Sequence, residues 1–237
     1  MTAAASQPSL NLTNTVAEWV RQDPARSRIF EKYGIDYCCG GKATLQQACN
    51  KRGLQTEEVL AALHSAQPMP DQCDWSTSTL SDLANHIEQT HHAFLKTELP
   101  RVATLLGRTL HAHGARHVWL AELKATFDRF AAEMDAHMFK EERILFPRIR
   151  RIDEGDRSQE VDQPVAIMEH EHDRAGADLE AMRQLSNNYT PPPDACNTFV
   201  AALDALRQIE NDTYLHVHKE NNILFPRSVS RGHKAHA

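Results

Sequence analysis

Two stretches of the chain repeat one another in residues that bind metals. One is His-Met-Phe-Lys-Glu-Glu-Arg-Ile-Leu-Phe-Pro-Arg, from His137 to Arg148. The other is His-Val-His-Lys-Glu-Asn-Asn-Ile-Leu-Phe-Pro-Arg, from His216 to Arg227. In a helix, residues four apart lie about 40° apart on one face, so His137 and Glu141, like His216 and Glu220, point the same way a turn from each other. The same face carries the apolar residues: Phe130, Met134, Ile144 and Leu145 around the first pair, Leu206, Ile209, Ile223 and Leu224 around the second. An imidazole and a carboxylate on a core-facing stripe are costly unless something compensates them. Two such stripes with the same polar pair predict a shared partner, a pair of metal ions.

The elements that position these pairs are helices. Long 3.6-residue periodic segments are separated by turn signals: Gly114, the polar run from Asp153 to Asp162, and Thr190-Pro191-Pro192-Pro193. They predict an all-α fold in which residues 79–237 form an antiparallel four-helix bundle. Helices are expected from Thr79 (broken or kinked at Pro100), from about Arg116 to Pro147, from about Pro164 to near Asn187, and from the proline run to Pro226. His92 precedes His137 by the same interval, within one residue, as His172 precedes His216. Each half of the bundle therefore offers one early His and one later His-x-x-x-Glu pair, which predicts approximate two-fold symmetry.

The candidate ligands are thus His92, His137, Glu141, His172, His216 and Glu220. This set is too nitrogen-rich for Mg or Ca and lacks the thiolates of structural zinc, so it suits two non-heme iron ions, with zinc or manganese as alternatives. If both Glu bridge and each metal takes two His, the protein supplies four donor atoms per metal. An oxo or hydroxo bridge and one exchangeable position for O2 or NO would complete a six-coordinate site. His91 would point about 100° from His92, and His170 and His218 should face away from the centre. His113 is a candidate hydrogen-bond partner of a ligand. His86, His111 and His117 read as partly exposed side chains.

Residues 1–65 read as a small helical domain, with capping boxes at Thr15/Glu18 and Thr44/Gln47 and helix-ending glycines at Gly34 and Gly53. Its loop carries the vicinal thiols Cys38 and Cys39. They read either as a redox pair, a relay or a cap over a metal site, or as two small residues suited to a tight loop. Cys49, Cys73 and Cys196 have no partner pattern. Residues 66–78, with Pro68 and Pro70, read as a linker. A net charge of −6 with scattered basic residues gives no support to a nucleic-acid surface. No apolar run has the roughly 20 residues of a membrane helix. No signal peptide is recognisable, and 5 Cys, an odd number, point to reduced thiols and a cytoplasmic protein.

The segment from Phe30 to Gly41 (Phe-Glu-Lys-Tyr-Gly-Ile-Asp-Tyr-Cys-Cys-Gly-Gly), with Leu45, Ala48 and Cys49, resembles the N-terminal domain of the iron–sulfur cluster repair di-iron proteins. The remainder resembles their hemerythrin-like domain through His137-Met138-Phe139-Lys140-Glu141-Glu142, Glu171-His172-Asp173, Thr190-Pro191-Pro192-Pro193 and Glu220-Asn221-Asn222. The resemblance implies a di-iron centre that helps restore clusters damaged by nitric oxide or oxidants, with damaged iron–sulfur proteins as partners and a homodimer as a reasonable assembly. It places the family's ligands on the same six residues, favours His92 over His91, and puts a family His at His113 and the family's thiol pair at Cys38 and Cys39. Oxygen-carrying hemerythrins have a further His where this chain has Gly176, so the resemblance favours a labile or reactive iron pair over an O2 carrier. The alternatives are a di-iron nitric oxide reductase and an O2, NO or iron sensor.

Overall fold

The computed structural model describes residues 10–66, 75–156 and 158–233. The chain divides into two compact units, Met1–Ser76 and Thr77–Ala237. Most of the expected linker 66–78, including Cys73, lies outside the described residues, as do residues 234–237 of the tail.

The first unit contains α1 (Val16–Gln22), α2 (Ser27–Tyr33), α3 (Leu45–Arg52) and α4 (Thr56–Ser65). Both capping boxes form. Thr15 Oγ1 accepts from the Glu18 N–H while Glu18 accepts from the Thr15 N–H, and Thr44 and Gln47 repeat the exchange. An isolated antiparallel bridge joins Thr15 to Thr44, so the two caps hold α1 and α3 together at their starts. Gly34 and Gly53 end α2 and α3 with φ of +64° and +66°, the left-handed conformation that costs glycine least. Trp19, Phe30, Ile35, Tyr37, Leu45 and Leu63 fill the small core.

The second unit is four helical rods. The first is α5 (Leu80–Ile87), a π-helical turn (Glu88–His92) and α6 (Ala93–His113). The second is α7 (Trp119–Lys140), a π-turn (Glu141–Leu145) and α8 (Phe146–Asp153). The third, α9 (Asp162–Leu185), has no interruption. The fourth is α10 (Asn197–Lys219), a π-turn (Glu220–Leu224) and α11 (Phe225–His233). Successive rods are antiparallel neighbours, and the fourth closes the ring against the first. Their cross-links run in opposite chain directions: Asn85 and Glu88 to Arg150, Arg129 to Asp178, Arg183 to Glu210, and His113 to Cys196.

Three expectations need correction. Of the break or kink expected at Pro100 the break is absent: α6 continues through the proline, with Leu95, Leu99, Val102 and Leu106 buried on both sides of the lost hydrogen bond. The second and fourth rods do not end at Pro147 and Pro226. Each proline follows a π-turn whose closing N–H, from Phe146 or Phe225, reaches back five residues to Glu141 or Glu220. The proline is then the second residue of a fresh helical segment, where a missing N–H is tolerated. Finally, Ile144 is 46% exposed whereas Ile223 is 7% exposed. Both stand at the same place in a π-turn, where a 3.6-residue stripe no longer fixes which side chain faces the core.

Candidate metal centre

The rods bring all six candidate ligands to the middle of the bundle. Three sit in the π-turns, which are disproportionately found at functional sites: His92 ends the first, and Glu141 and Glu220 begin the others. His137 and His216 lie on the last turns of α7 and α10, and His172 on α9. Each of the six is 3% exposed or less.

Their donor atoms form two clusters that share both carboxylates. His92, His216, Glu141 and Glu220 offer atoms within 4.8 Å of one another, and so do His137, His172, Glu141 and Glu220. The imidazoles meet through Nε2, at 3.1 Å between His92 and His216 and 3.0 Å between His137 and His172. Glu141 Oε2 is 3.3 Å from both His92 Nε2 and His137 Nε2. Glu220 reaches His172 Nε2 at 3.2 Å and His216 Nε2 at 2.9 Å. Both oxygens of Glu141 and Oε2 of Glu220 are buried without a hydrogen-bond partner. Fully buried, unsatisfied carboxylate oxygens facing four imidazole nitrogens are an arrangement that bound cations complete.

The ring nitrogens away from the centre are held by residues that sit beside a ligand on the next rod. His92 Nδ1–H donates to Glu142 Oε1 at 2.8 Å, His137 Nδ1–H to Glu171 Oε2 at 3.0 Å, and His172 Nδ1–H to Asn221 Oδ1 at 2.8 Å. These contacts fix the tautomer that leaves Nε2 free for a metal. The fourth position breaks the pattern. His216 Nδ1 has no hydrogen-bond partner, and its ring is stacked on His91 with centroids 5.6 Å apart and planes 3° from parallel. His91, itself buried, donates from Nδ1 to Asp212 and accepts at Nε2 from Lys219.

Residues 82–228 match the hemerythrin HHE cation binding domain, and residues 12–67 match a domain of unknown function. Over 207 residues the chain is 36% identical to the iron–sulfur cluster repair proteins YtfE of Escherichia coli O157:H7 and of Citrobacter koseri, covering 87% of this chain and 92% of each relative. That of Shigella boydii serotype 4 is 35% identical over the same share. The chain belongs to the family of iron–sulfur cluster repair proteins YtfE. Its larger unit is accordingly a cation-binding helical bundle, and the two buried His/Glu clusters could hold a metal.

The charge balance of the centre is that of a site built for cations. Burial opposes a proton on His137, but Glu141, Glu171 and Glu220 outweigh it and hold the ring's pKa up at about 10. His92 is raised for the same reason by Glu141, Glu220 and Glu142. Burial pushes Glu220 up, yet the facing His216 and His172 draw it well below the ordinary carboxylate range. Glu171, hydrogen-bonded to His137 and to Lys140, falls to about 2. Lys219 goes the other way: burial lowers it to about 8. Metal ions must displace the protons that the imidazoles hold without them.

Glu142, Glu171, Asn221, His91, Asp212 and Lys219 have no pattern in the sequence that assigns them these supporting contacts. All but Asp212 lie next to a ligand in sequence, which is the available signal. A neighbour on a helix turns about 100° away, toward the adjacent rod and not into its own ligand's cluster. His113 is not among the six or their partners. It ends α6, 21 residues from His92, about 30 Å along the helix. Exposed His170 and buried His218 both lie outside the clusters, while Ala175 and Met134 line a cavity of about 10 Å³ beside His137 and His172.

In the first unit, Asp36 organises the thiol loop. Its carboxylate accepts from the Cys38 N–H at 2.9 Å, the Cys38 thiol at 3.0 Å and the Gly40 N–H at 2.9 Å. A Cβ at Gly40 would come within 3.2 Å of that carboxylate, so the wrap favours glycine there. Burial pushes the Cys38 thiol well above its ordinary pKa, and Cys39 and Asp36 add to the rise. Cys38 is therefore a protonated thiol at neutral pH, with Cys39 Sγ 3.8 Å away. Donor atoms of Asp36, Cys38 and Cys39 lie within 4.8 Å of one another. Among the described residues no helix is long and apolar enough to cross a membrane.

Proposed function

We propose that the bundle holds two non-heme iron ions and that the protein, like the relatives named for it, repairs damaged iron–sulfur clusters. The observation that carries this reading is the pair of His2Glu2 clusters sharing Glu141 and Glu220. His92 and His216 would hold one ion, His137 and His172 the other, and the two carboxylates would bridge them, with an oxo or hydroxo bridge between the ions. Bound there, the iron pair would supply one-electron chemistry, a place for a diatomic ligand such as NO or O2, and iron itself. The carboxylates neutralise cations, and the Nδ1 hydrogen bonds aim three of the four Nε2 atoms inward, where a metal replaces the proton. Because protons and metal compete for those atoms, uptake of protons at the imidazoles assists release. The small unit, about residues 1–65, would act through its thiol pair Cys38 and Cys39, with 66–78 as linker and 79–237 as the metal-holding domain, in the cytoplasm of a cell under nitrosative or oxidative stress.

The test is cluster restoration. An iron–sulfur dehydratase inactivated by nitric oxide is incubated with the iron-loaded protein, and its recovered activity is measured. Recovery with the wild type, absent with Glu141→Ala/Glu220→Ala, is the expected result. Equal recovery with both proteins would refute a repair role for the centre.

A further inference from the structure

At the opposite end of the bundle from Pro147 and Pro226, a second cluster of ligand side chains joins two turns. His113 closes α6 and His117 follows in the turn, with the His117 N–H bonded to the His113 carbonyl at 3.0 Å. The spacing His-x-x-x-His is a common one for zinc ligands. Gly114 makes this turn possible, since a Cβ there would stand 2.5 Å from the Leu110 carbonyl oxygen. Across from it, the Pro191-Pro192-Pro193 run leads into Asp194 and Cys196, the latter capping α10. The Ala195 N–H bonds to the Pro192 carbonyl at 3.0 Å and folds this segment back.

Donor atoms of His113, His117 and Asp194 lie within 4.8 Å of one another. His117 Nε2–H donates to Asp194 Oδ1 at 2.9 Å, and His113 Nε2 lies 3.2 Å from Cys196 Sγ. His113 is only 6% exposed, yet its Nδ1 has no hydrogen-bond partner, so the buried ring has unused ligating capacity. The other competitor for Asp194 is Arg116, 3.5 Å away and 66% exposed, a surface pair that a bound cation displaces at little cost. Phe199 packs on both imidazoles, with ring centroids 5.3 Å and 5.7 Å away, and gives the cluster an apolar wall.

We infer that His113, His117 and Asp194 form a second metal site that takes one divalent zinc-like cation and clasps the α6–α7 turn to the segment entering α10, with the exposed thiol of Cys196, which touches His113 but stands outside the three-residue cluster, turning in as fourth donor. Two nitrogens, one carboxylate oxygen and one thiolate make a borderline-soft set that suits tetrahedral Zn(II) better than the oxygen-seeking Mg or Ca. Cys196 stands at the N-terminus of a 23-residue helix, where a thiolate is favoured. The site is independent of the iron centre in its residues.

The test uses the full-length, iron-loaded chain titrated with Zn(II), with iron and zinc counted together. The expected result is one zinc bound per chain with iron content unchanged. Affinity should fall at least about 10-fold in His117→Ala and in Asp194→Asn, the scale on which even outer-shell partners act. Both residues are partly exposed, so their replacement spares the core, and an unchanged iron content reports the fold. Co(II) in place of zinc should give a thiolate charge-transfer band that Cys196→Ser removes. Zinc that displaces iron, or that binds both variants as tightly as the wild type, for example at Asp36, Cys38 and Cys39, would overturn the proposal. A cobalt spectrum unchanged in Cys196→Ser would remove the thiolate from it.

Discussion

The two halves of the candidate metal centre match in their donor atoms but not in their supports. In the His137–His172 half, both rings are held from behind by hydrogen bonds that they donate to Glu171 and Asn221. In the His92–His216 half only His92 is held so, by Glu142, while His216 rests against the flat face of His91. The repeated lysines follow the same division. Lys140, half-buried, pairs with Glu171, the brace of His137. Lys219, at the matching place in the second repeat, is half-buried and donates to His91 at 2.7 Å and to His86 at 2.8 Å. In each half the lysine thus secures whatever supports the histidine three residues before it. In one it secures a charged acceptor, in the other a neutral ring. The repeated donor atoms match while the layer around them differs, so the two candidate metal positions should differ in affinity.

The bluntest way to break the comparison is to delete one half's imidazoles at a time. His137→Ala/His172→Ala and His92→Ala/His216→Ala should each lower the iron content by about half, since in the proposed centre each ion takes its own pair of imidazoles. Complete loss from either pair would show that the ions bind only together. Next in size, Glu171→Ala should weaken one metal by about 10- to 100-fold, whereas His91→Ala, which removes a stack on His216 and no hydrogen bond to a candidate ligand, should cost less. Equal losses in competition with a chelator would erase the distinction between the halves.

The pH dependence of the metal-free protein sharpens the comparison further. His137 is raised from 6.5 to about 10, so its contribution to stability is fully present below pH 6.5 and is lost as pH climbs through about 10. Glu171 is lowered from 4.5 to about 2, so its contribution is present above pH 4.5 and is lost as pH falls toward 2. Thermal unfolding of the metal-free protein should therefore show a Tm that declines on the alkaline side, and less steeply in Glu171→Gln. A Tm flat from pH 6.5 to 10 would contradict the charged His137. The smallest effect separates the repeats by packing alone. Ile223→Ala should cost about 2–4 kcal/mol and Ile144→Ala under about 1 kcal/mol, read by denaturant unfolding.

The histidines and carboxylates were legible because a repeated His-x-x-x-Glu on an apolar stripe is a local pattern, and helix geometry alone puts both groups on one face. The caps at Thr15 and Thr44 and the glycines at 34 and 53 were legible for the same reason, since each acts within one turn of chain. What escaped depends on the neighbouring rod. Glu142, Glu171 and Asn221 look like ordinary polar residues until the order of rods around the bundle is known. The π-turns have no periodic signature of their own. They appear only as a stripe that slips, which is why Ile144 reads as core, and why Pro147 and Pro226 read as helix ends. Cys196 and His117 looked incidental because the partner of each lies about eighty residues away in the chain.

The central claim is that Glu141 and Glu220 are shared by two irons. The most direct measurement is the iron content and absorption spectrum of protein made in iron-rich medium, for the wild type and for Glu141→Ala/Glu220→Ala. The account predicts about two irons per chain with the absorption of a bridged ferric pair, and neither in the double variant. Two irons with an unchanged spectrum after both carboxylates are gone would contradict it.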